Sequence, residues 1–394
     1  MSSKISELKK KLPFIIKEVN SLPSNSLFRP SALWKNTNFF FNFLKHLPDS
    51  ELESIRIHTS VITGSSILDF VHHPKRLASD YDKQHTFWAA SQYEASTKNI
   101  PTKYHLSEPA PNWISEQISL PYKKHLISND LVRYQRFIAN LYNLGISNYI
   151  DKKIGKTIIL EIGSGYGALA HQIKKIFNDT VYILVDLPEL LFWAGVFIIV
   201  NNPKSKIFIY DPRKHKKKLN LNELKKYDFL LVPNYKLSEL IGDIPIDLAI
   251  NLLSFQEMTI KQINYYCKYI SSNLIGFFGS DNMDRHPINC ELNFNIDTIL
   301  RKYFKLIPSE VDFIKIKSQN ENQLWQVYSF FGVSKKNKLD FKIINNEILG
   351  LNYSFIFDKV DFFGSSIRQS KQRGEILSKI KTISKKIFLF KHKK

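Results

Sequence analysis

The residues best suited to chemistry lie in one short segment, residues 157–169, with the sequence TIILEIGSGYGAL. An acidic residue, Glu161, is followed by Gly163, Gly165 and Gly167 at alternate positions. Alternating glycines let the chain turn sharply and allow a ligand to approach the backbone. A helix that begins directly after them points its free N–H groups into the same space. The segment therefore predicts a ligand-binding turn between a buried strand and a helix.

Two classes of cofactor bind at such turns, and Glu161 separates them. A dinucleotide such as NAD or FAD brings a pyrophosphate, which a carboxylate two residues before the first glycine would repel. S-adenosylmethionine has no phosphate, and its ammonium can pair with Glu161 while its carboxylate faces the helix start. The next predicted strand ends in Asp186, a position suited to binding ribose hydroxyls of either cofactor. The sequence favours S-adenosylmethionine, with a dinucleotide as the alternative.

Short apolar segments alternate with helical ones from about residue 155 to 335. We predict strands at 158–162, 181–186, 206–210, 228–232, 247–251 and 274–279, and a late pair near 311–317 and 324–333. This alternation predicts an α/β fold with a mostly parallel, Rossmann-like sheet that an antiparallel hairpin closes.

The rest of the chain divides around that sheet. Residues 1–150 predict a mainly helical region that would cap the acceptor site, and they begin with an amphipathic helix. Residues 151–335 form the predicted sheet domain, and 336–394 a C-terminal extension. The longest apolar run, Leu190 to Val200, is about half of what a membrane span needs. Two cysteines without a metal-type spacing indicate a reducing compartment, so we predict a cytoplasmic protein with neither a disulfide framework nor a cysteine-bound metal.

The formal net charge of +20 is concentrated at the C-terminus. Residues 366–394 carry ten Lys or Arg and one acidic residue, Glu375, with isoleucines at helical spacing. A basic amphipathic helix of this kind can lie on an anionic membrane surface, here the inner face of the cell membrane. The alternative is a helix packed on the domain with a solvated basic face. The oligomeric state is not indicated.

Two loops follow predicted strands at the sheet edge where ligands bind. In the first, Ser254 and Glu257 have the spacing of a capping box, in which each side chain bonds to the other residue's backbone N–H. The second holds Asp281, Asp284 and His286. Methylation of a hydroxyl requires a base that removes its proton. The candidate catalytic residues are His286, Glu257 and Asp281, and the alternative is a divalent metal ion bound by Asp281 and Asp284.

Several segments together resemble the sugar O-methyltransferase family of bacterial glycan biosynthesis, over about residues 125–290. They are EIGSGYG at 161–167, VDLPELL at 185–191, FLLVPNY at 229–235, DLAINLLSFQEM at 247–258 and NYYCKYI at 264–270. The resemblance implies a class I S-adenosylmethionine-dependent methyltransferase whose acceptor is a sugar hydroxyl on a nucleotide or lipid carrier. The residues expected to bind the donor are Glu161, Gly163, Ser164, Gly165, Tyr166, Gly167, Asp186, Leu187, Asn251 and Ser254. Gln256 and Glu257 are expected to line the mouth of the site.

Two other functions stay open. The basic charge suggests a nucleic-acid methyltransferase, but NLLS stands where enzymes that methylate base amines carry an Asn/Asp-Pro-Pro-aromatic sequence. Ribose methylation of RNA remains an alternative, although we do not favour a nucleic-acid partner. The second alternative is a non-catalytic, membrane-associated scaffold that keeps the fold.

Overall fold

The computed structural model describes residues 2–35, 46–59, 80–109, 120–283, 289, 291–292, 295–317 and 322–336. The candidate base His286, the candidate metal ligand Asp284 and the basic segment 366–394 lie outside these residues, so their predicted roles stay predictions. The described residues belong to one compact unit, which also contains the predicted N-terminal region. A functional division of the chain near residue 150 stays a prediction.

Helices occur along the whole described chain. They are α1 (Ser2–Ser21), α2 (Asp49–Leu52), α3 (Asp80–Thr97), α4 (Asn129–Asn143), α5 (Ile146–Asp151), α6 (Ala168–Ile176), α7 (Pro188–Asn201), α8 (Leu221–Leu224), α9 (Ile260–Asn273) and α10 (Ile296–Tyr303). The strands are β1 (Leu120–Tyr122), β2 (His125–Ile127), β3 (Thr157–Ile162), β4 (Thr180–Asp186), β5 (Ile207–Ile209), β6 (Phe229–Pro233), β7 (Ile246–Leu252), β8 (Leu274–Met283), β9 (Phe304–Lys317) and β10 (Asn322–Ser334).

The main sheet has eight strands in the order β5-β6-β4-β3-β7-β8-β10-β9. The first six strands pair in parallel, whereas β10 runs antiparallel to both β8 and β9. The chain starts in the middle of the sheet at β3, moves to one edge, and returns through β7 to the other. The predicted architecture is confirmed: a mostly parallel, Rossmann-like sheet closed by an antiparallel hairpin.

Two features differ from the sequence prediction. Two strands are longer than predicted. Strand β9 of the closing hairpin begins at Phe304, and β8 extends to Met283, which places Asp281 in a strand and not in a loop. The N-terminal region, predicted as mainly helical, also contains the small antiparallel hairpin β1–β2. The extension of β8 comes from its pairing with β10, about 50 residues further along the chain, which a local pattern does not encode. The β1–β2 pairing is a local hairpin that the sequence analysis missed.

The central strands carry apolar residues on both faces because both faces of the sheet are covered. All six residues of β3 and all seven of β4 are buried. Ile158, Leu160 and Ile162 pack on one face in the core that includes residues of α9 and α10. Since side chains alternate along a strand, Glu161 projects from the other face.

Helix α7 explains the longest apolar run of the sequence. It is apolar on every side and is buried between the sheet, α6 and α1. A Cβ atom built on Gly195 would lie 2.6 Å from Leu8 Cδ2 and 2.8 Å from Leu231 Cδ1, so α1 and β6 approach its backbone closely. The N-terminal helix α1 therefore packs on α7 and buries the side of it that would otherwise face solvent. Among the described residues, no helix has the length and apolarity needed to cross a bilayer.

The close approach at Gly195 gives a stability prediction. Gly195→Val should lower the free energy of unfolding by about 1–3 kcal/mol, because the added carbons overlap Leu8 and Leu231. Urea denaturation measures the change. In a Leu8→Ala background, which removes one overlapping side chain, the same substitution should cost less. Equal costs in both backgrounds would contradict the packing of α1 on α7.

Candidate active site

The glycine segment forms the predicted turn at the C-terminal end of β3. Gly163, Gly165 and Gly167 all have positive φ, at 76°, 54° and 82°, a backbone region that favours glycine. The turn closes through a hydrogen bond from Gly167 N to Ser164 O of 2.9 Å, and α6 begins at the next residue, Ala168. The predicted strand, turn and helix are confirmed in that order.

Asp186 binds the glycine turn from the end of the neighbouring strand. Its Oδ2 accepts a hydrogen bond of 2.8 Å from Gly165 N, and its Oδ1 accepts one of 2.7 Å from Leu187 N. Burial raises the pKa of the Asp186 carboxyl to about 7, although both backbone donors oppose the rise. Asp186 therefore fixes the shape of the turn. It also ends β4, the position at which the sequence analysis predicts a residue that binds ribose hydroxyls.

Glu161 is a buried carboxylate without a cationic partner among the described residues. Its side chain is enclosed beside the glycine turn, where Oε2 accepts a hydrogen bond of 2.9 Å from the Tyr182 hydroxyl. Burial raises the pKa of Glu161 to about 8; the Tyr182 bond counteracts this, and the charge of Asp186 adds to it. A buried carboxylate of this kind gains most from a ligand that brings a positive charge.

The turn after β7 packs directly beneath the glycine turn. The Ser254 hydroxyl donates to Ile162 O at 3.0 Å, and the Asn251 side-chain amide donates to the same oxygen at 2.8 Å. A Cβ on Gly163 would lie 2.1 Å from Ser254 Oγ, so only glycine fits there. Asn251 and Ser254 therefore hold the backbone of Ile162, directly before the glycine turn. Both residues lie at or just after the end of β7, as the sequence analysis predicted.

The capping box predicted for Ser254 and Glu257 is wrong. Ser254 makes no capping bond, because its hydroxyl is used on Ile162 O. The next helix, α9, begins at Ile260, and a capping box is formed there by Thr259 and Gln262. Glu257 is therefore not a helix-capping residue, and capping does not explain why a glutamate stands at this position.

Glu257 instead interacts with the N-terminal region. Its Oε2 accepts a hydrogen bond of 2.8 Å from the indole Nε1 of Trp34. Burial raises the pKa of Glu257 to about 7; the Trp34 bond lowers it, and the charge of Asp186 raises it. A carboxyl group with a pKa near neutrality is suited to exchange a proton at physiological pH.

The third candidate, Asp281, lies near the end of β8 in an ion pair. Arg136 of α4 donates from Nη2 to Asp281 Oδ2 at 2.8 Å, and both side chains are largely enclosed. Within the described part of the chain, Asp281 Oδ1 has no hydrogen-bond partner. No group of three His, Cys, Asp or Glu side chains there could hold a metal ion.

A buried charged cluster secures the glycine turn from the N-terminal side. Arg56 donates to Glu108 Oε1 at 2.8 Å, and Asp130 Oδ2 lies 3.4 Å from the same nitrogen. The guanidinium stacks over the ring of Tyr166, 4.7 Å from its centroid. Burial is the main reason why the pKa of Tyr134, on α4, is raised, and the charges of Asp130 and then Glu161 add to it. Three separate N-terminal segments, those of Arg56, Glu108 and α4, thereby pack beside Tyr166 of the glycine turn.

A cavity of about 400 Å³ opens beside Asp186. It lies between the end of α1, residues 29–35 and the start of α7, and Leu187 lines it. Arg29, Lys35, Glu189 and Glu291 also line it, so its walls carry both signs of charge.

Comparisons with known proteins add the following. No family model and no curated protein matches this chain. Many solved structures resemble it in part, among them the following three. Precorrin-6y C5,15-methyltransferase of Geobacter metallireducens GS-15 is 9% identical, covering 55% of this chain and 94% of its own, with a TM-score of 0.29. A SAM-dependent O-methyltransferase of Thermotoga maritima is 12% identical over 50% and 66%, with a TM-score of 0.29. Phosphoethanolamine N-methyltransferase 2 of Haemonchus contortus is 13% identical over 49% and 52%, with a TM-score of 0.30. Similarity this low assigns no activity, cofactor or substrate to this chain.

The sequence analysis missed the side chains that enclose these candidates. Tyr182 had a detectable signal, because it lies four residues before Asp186 in a strand predicted to pair with the strand of Glu161. The other four lie in the N-terminal region, where no pattern marked them: Trp34, Arg56, Tyr134 and Arg136.

The buried cluster gives a second stability prediction. Arg56→Met should destabilise the protein by about 3–5 kcal/mol, because it leaves Glu108 buried without its cation and Asp130 with only the more distant Arg133, at 3.9 Å. Thermal or urea unfolding measures the loss. Combining it with Glu108→Gln should recover part of that loss, since the unpaired charge of Glu108 is then absent. If the double variant were no more stable than Arg56→Met, the assigned ion pair would be contradicted.

Proposed function

We propose that this chain is an S-adenosylmethionine-dependent methyltransferase that methylates a hydroxyl group, with a sugar as acceptor. The observation that carries the donor assignment is the Glu161 carboxylate, buried next to the glycine turn with a tyrosine hydroxyl as its hydrogen-bond partner. A ligand with an ammonium group satisfies this carboxylate, whereas a pyrophosphate would add negative charge beside it.

The rest of the turn suits the same donor. The ribose hydroxyls would meet Asp186, the adenine would extend past Leu187, and the methionine carboxylate would face the start of α6. The sulfonium supplies an activated methyl group, and in-line transfer depends chiefly on the alignment of donor and acceptor. The proposed donor site therefore lies at the C-terminal edge of β3, β4 and β7, where the residues expected to bind the donor are found.

Oxygen as the methyl acceptor is supported by Glu257. A hydroxyl becomes a good nucleophile when its proton is removed, and burial raises the pKa of Glu257 to about 7, in the range of a general base. A sugar as the acceptor rests on the sequence resemblance and on the mixed polar lining of the neighbouring cavity. We further propose that this sugar is attached to a nucleotide or lipid carrier, in which case the basic segment 366–394 would bind the carrier's phosphates or an anionic membrane.

Transfer of a labelled methyl group tests the function directly. Purified protein is incubated with S-adenosylmethionine labelled in the methyl group and, separately, with nucleoside-diphosphate sugars, lipid-linked glycans and RNA. We expect label in a sugar-containing product, and a large loss of turnover with unchanged donor affinity for Glu257→Gln. Label in RNA ribose would favour the alternative acceptor. Absence of donor binding would favour a non-catalytic scaffold.

Donor binding should be linked to the release of a proton. In the free protein, Glu161 is mostly protonated at pH values below its pKa of about 8. Pairing with an ammonium lowers that pKa, so a proton leaves when the donor binds. Affinity for S-adenosylhomocysteine, which keeps the ammonium, should rise as the pH increases from about 6 to 8 and then level off. Calorimetry in buffers of different ionisation enthalpy measures the proton. Binding without proton release at pH 7 would contradict the role of Glu161.

Glu161→Gln should weaken donor binding by more than tenfold and yet stabilise the protein at high pH. A carboxyl group whose folded pKa is raised contributes stability at low pH and loses it as the pH rises through about 8. Glutamine resembles the protonated form and does not ionise in either state, whereas wild type begins to lose this stability once the pH passes the pKa of an unfolded glutamate. The variant should therefore melt higher than wild type at pH 9 and by a clearly smaller margin at pH 5. Glu18→Gln is the matched control: Glu18 also accepts a tyrosine hydroxyl, from Tyr235 at 2.9 Å, but pairs with Lys236 at 3.0 Å. It should show neither effect.

A further inference from the structure

The segment that carries Trp34 crosses the C-terminal edge of the sheet. We call residues 27–35 the N-terminal strap. Gln262, at the start of α9, donates from Nε2 to Leu27 O at 3.0 Å and to Arg29 O at 2.9 Å. Asn234, just after β6, donates from Nδ2 to Phe28 O at 3.0 Å. The first half of the strap is thereby fixed through its backbone to two elements of the sheet domain.

The second half of the strap reaches the loops that border the candidate active site. Ala32 N donates to Glu291 Oε2 at 2.7 Å, and Trp34 Nε1 donates to Glu257 Oε2 at 2.8 Å. Most of these contacts use strap backbone atoms, which hold a segment in place whatever its side chains are. The Trp34 contact differs, because it joins one side chain to the side chain of a candidate catalytic group.

We propose that Trp34 is a positioning residue for Glu257: its indole N–H holds Oε2, so that Oε1 is the oxygen presented to the acceptor hydroxyl. The proposal rests on the proposed function, in which Glu257 is the base. It also makes the N-terminal strap part of the acceptor side of the site, so that the first 35 residues contribute to catalysis as well as to packing.

The chemistry of indole makes this assignment specific. The indole N–H donates but does not accept or lose a proton in the relevant pH range, so it favours the ionised form of a carboxyl group at every pH. Two effects oppose it: burial, and the negative charge of Asp186 at the end of β4. Trp34 is thus the neighbour that counteracts both effects and keeps the carboxylate available as a base near neutral pH.

A fluorescence titration tests the contact without any acceptor. The intrinsic tryptophan emission of the full chain is followed from pH 5.5 to 9 for wild type, Trp34→Phe, Glu257→Gln and Trp193→Phe. We expect a transition with a midpoint near pH 7 in wild type and in Trp193→Phe, the control for loss of a buried tryptophan on α7. The transition should vanish in Trp34→Phe and in Glu257→Gln. Its persistence in either variant, or its absence in wild type, would overturn the proposal.

The pH dependence of turnover separates positioning from a purely structural role. In Trp34→Phe the acid limb of the kcat profile should move to higher pH by about one unit, because the carboxylate has lost its donor, and activity should recover at high pH. Affinity for S-adenosylhomocysteine should stay within about twofold of wild type. An equal loss of kcat at all pH values would mean that Trp34 only packs, and would overturn the proposal.

The two proposals fail differently. If the fluorescence transition depends on Trp34 and Glu257 but the protein neither binds the donor nor transfers a methyl group, the proposed function falls, and with it the role of Glu257 as a base. If methyl transfer is observed and the kcat profile of Trp34→Phe coincides with that of wild type, the positioning role falls and the proposed function stands.

Discussion

The burial of Glu161 without a cation is the constraint on which the site depends. Taking an ionised carboxylate out of water is costly unless a positive partner or several donors replace the solvent. Here the partner is the Tyr182 hydroxyl, which opposes the effect of burial without cancelling it, so the pKa of Glu161 still rises to about 8. The surrounding strands β3 and β4 are buried on both faces, so they keep solvent away from the carboxylate. A position of this kind lowers the stability of the free protein at high pH and favours a ligand that carries the missing charge, a trade between stability and function common at binding sites.

The glycine turn beside Glu161 keeps its shape because neighbouring strands bind it from two sides. Asp186 holds Gly165 N from β4, and the turn after β7 brings Ser254 against Gly163. Behind Ser254, Asn282 of β8 donates from Nδ2 to Asn251 Oδ1 at 2.8 Å, which links the end of the next strand to the same network. Buried polar side chains that satisfy one another restrict the backbone to one arrangement. The site is thus preorganised by the ends of four adjacent strands.

Segments that precede the sheet in the sequence cover α7 and parts of the candidate site that the sheet alone does not cover. Helix α1 covers α7, Arg56 stacks on Tyr166, and Trp34 binds Glu257. Each of these contacts joins residues more than a hundred positions apart in the chain. The side of the site that we propose for the acceptor is therefore built by residues that lie outside the Rossmann-like pattern, as expected where a common fold is adapted to a particular ligand.

The sequence by itself determined the sheet, the glycine turn and the positions of Glu161 and Asp186, because these follow from local patterns: apolar runs of strand length, alternating glycines, and acidic residues at strand ends. The capping box that it predicted for Ser254 and Glu257 is wrong, since the same spacing of residues also arises where both side chains have other partners. Tertiary structure alone decided that Ser254 supports Gly163, that Arg136 pairs with Asp281, and that Trp34 faces Glu257. These contacts depend on how distant segments pack, and the free energy of such packing is shared over many residues, so that no local spacing records it.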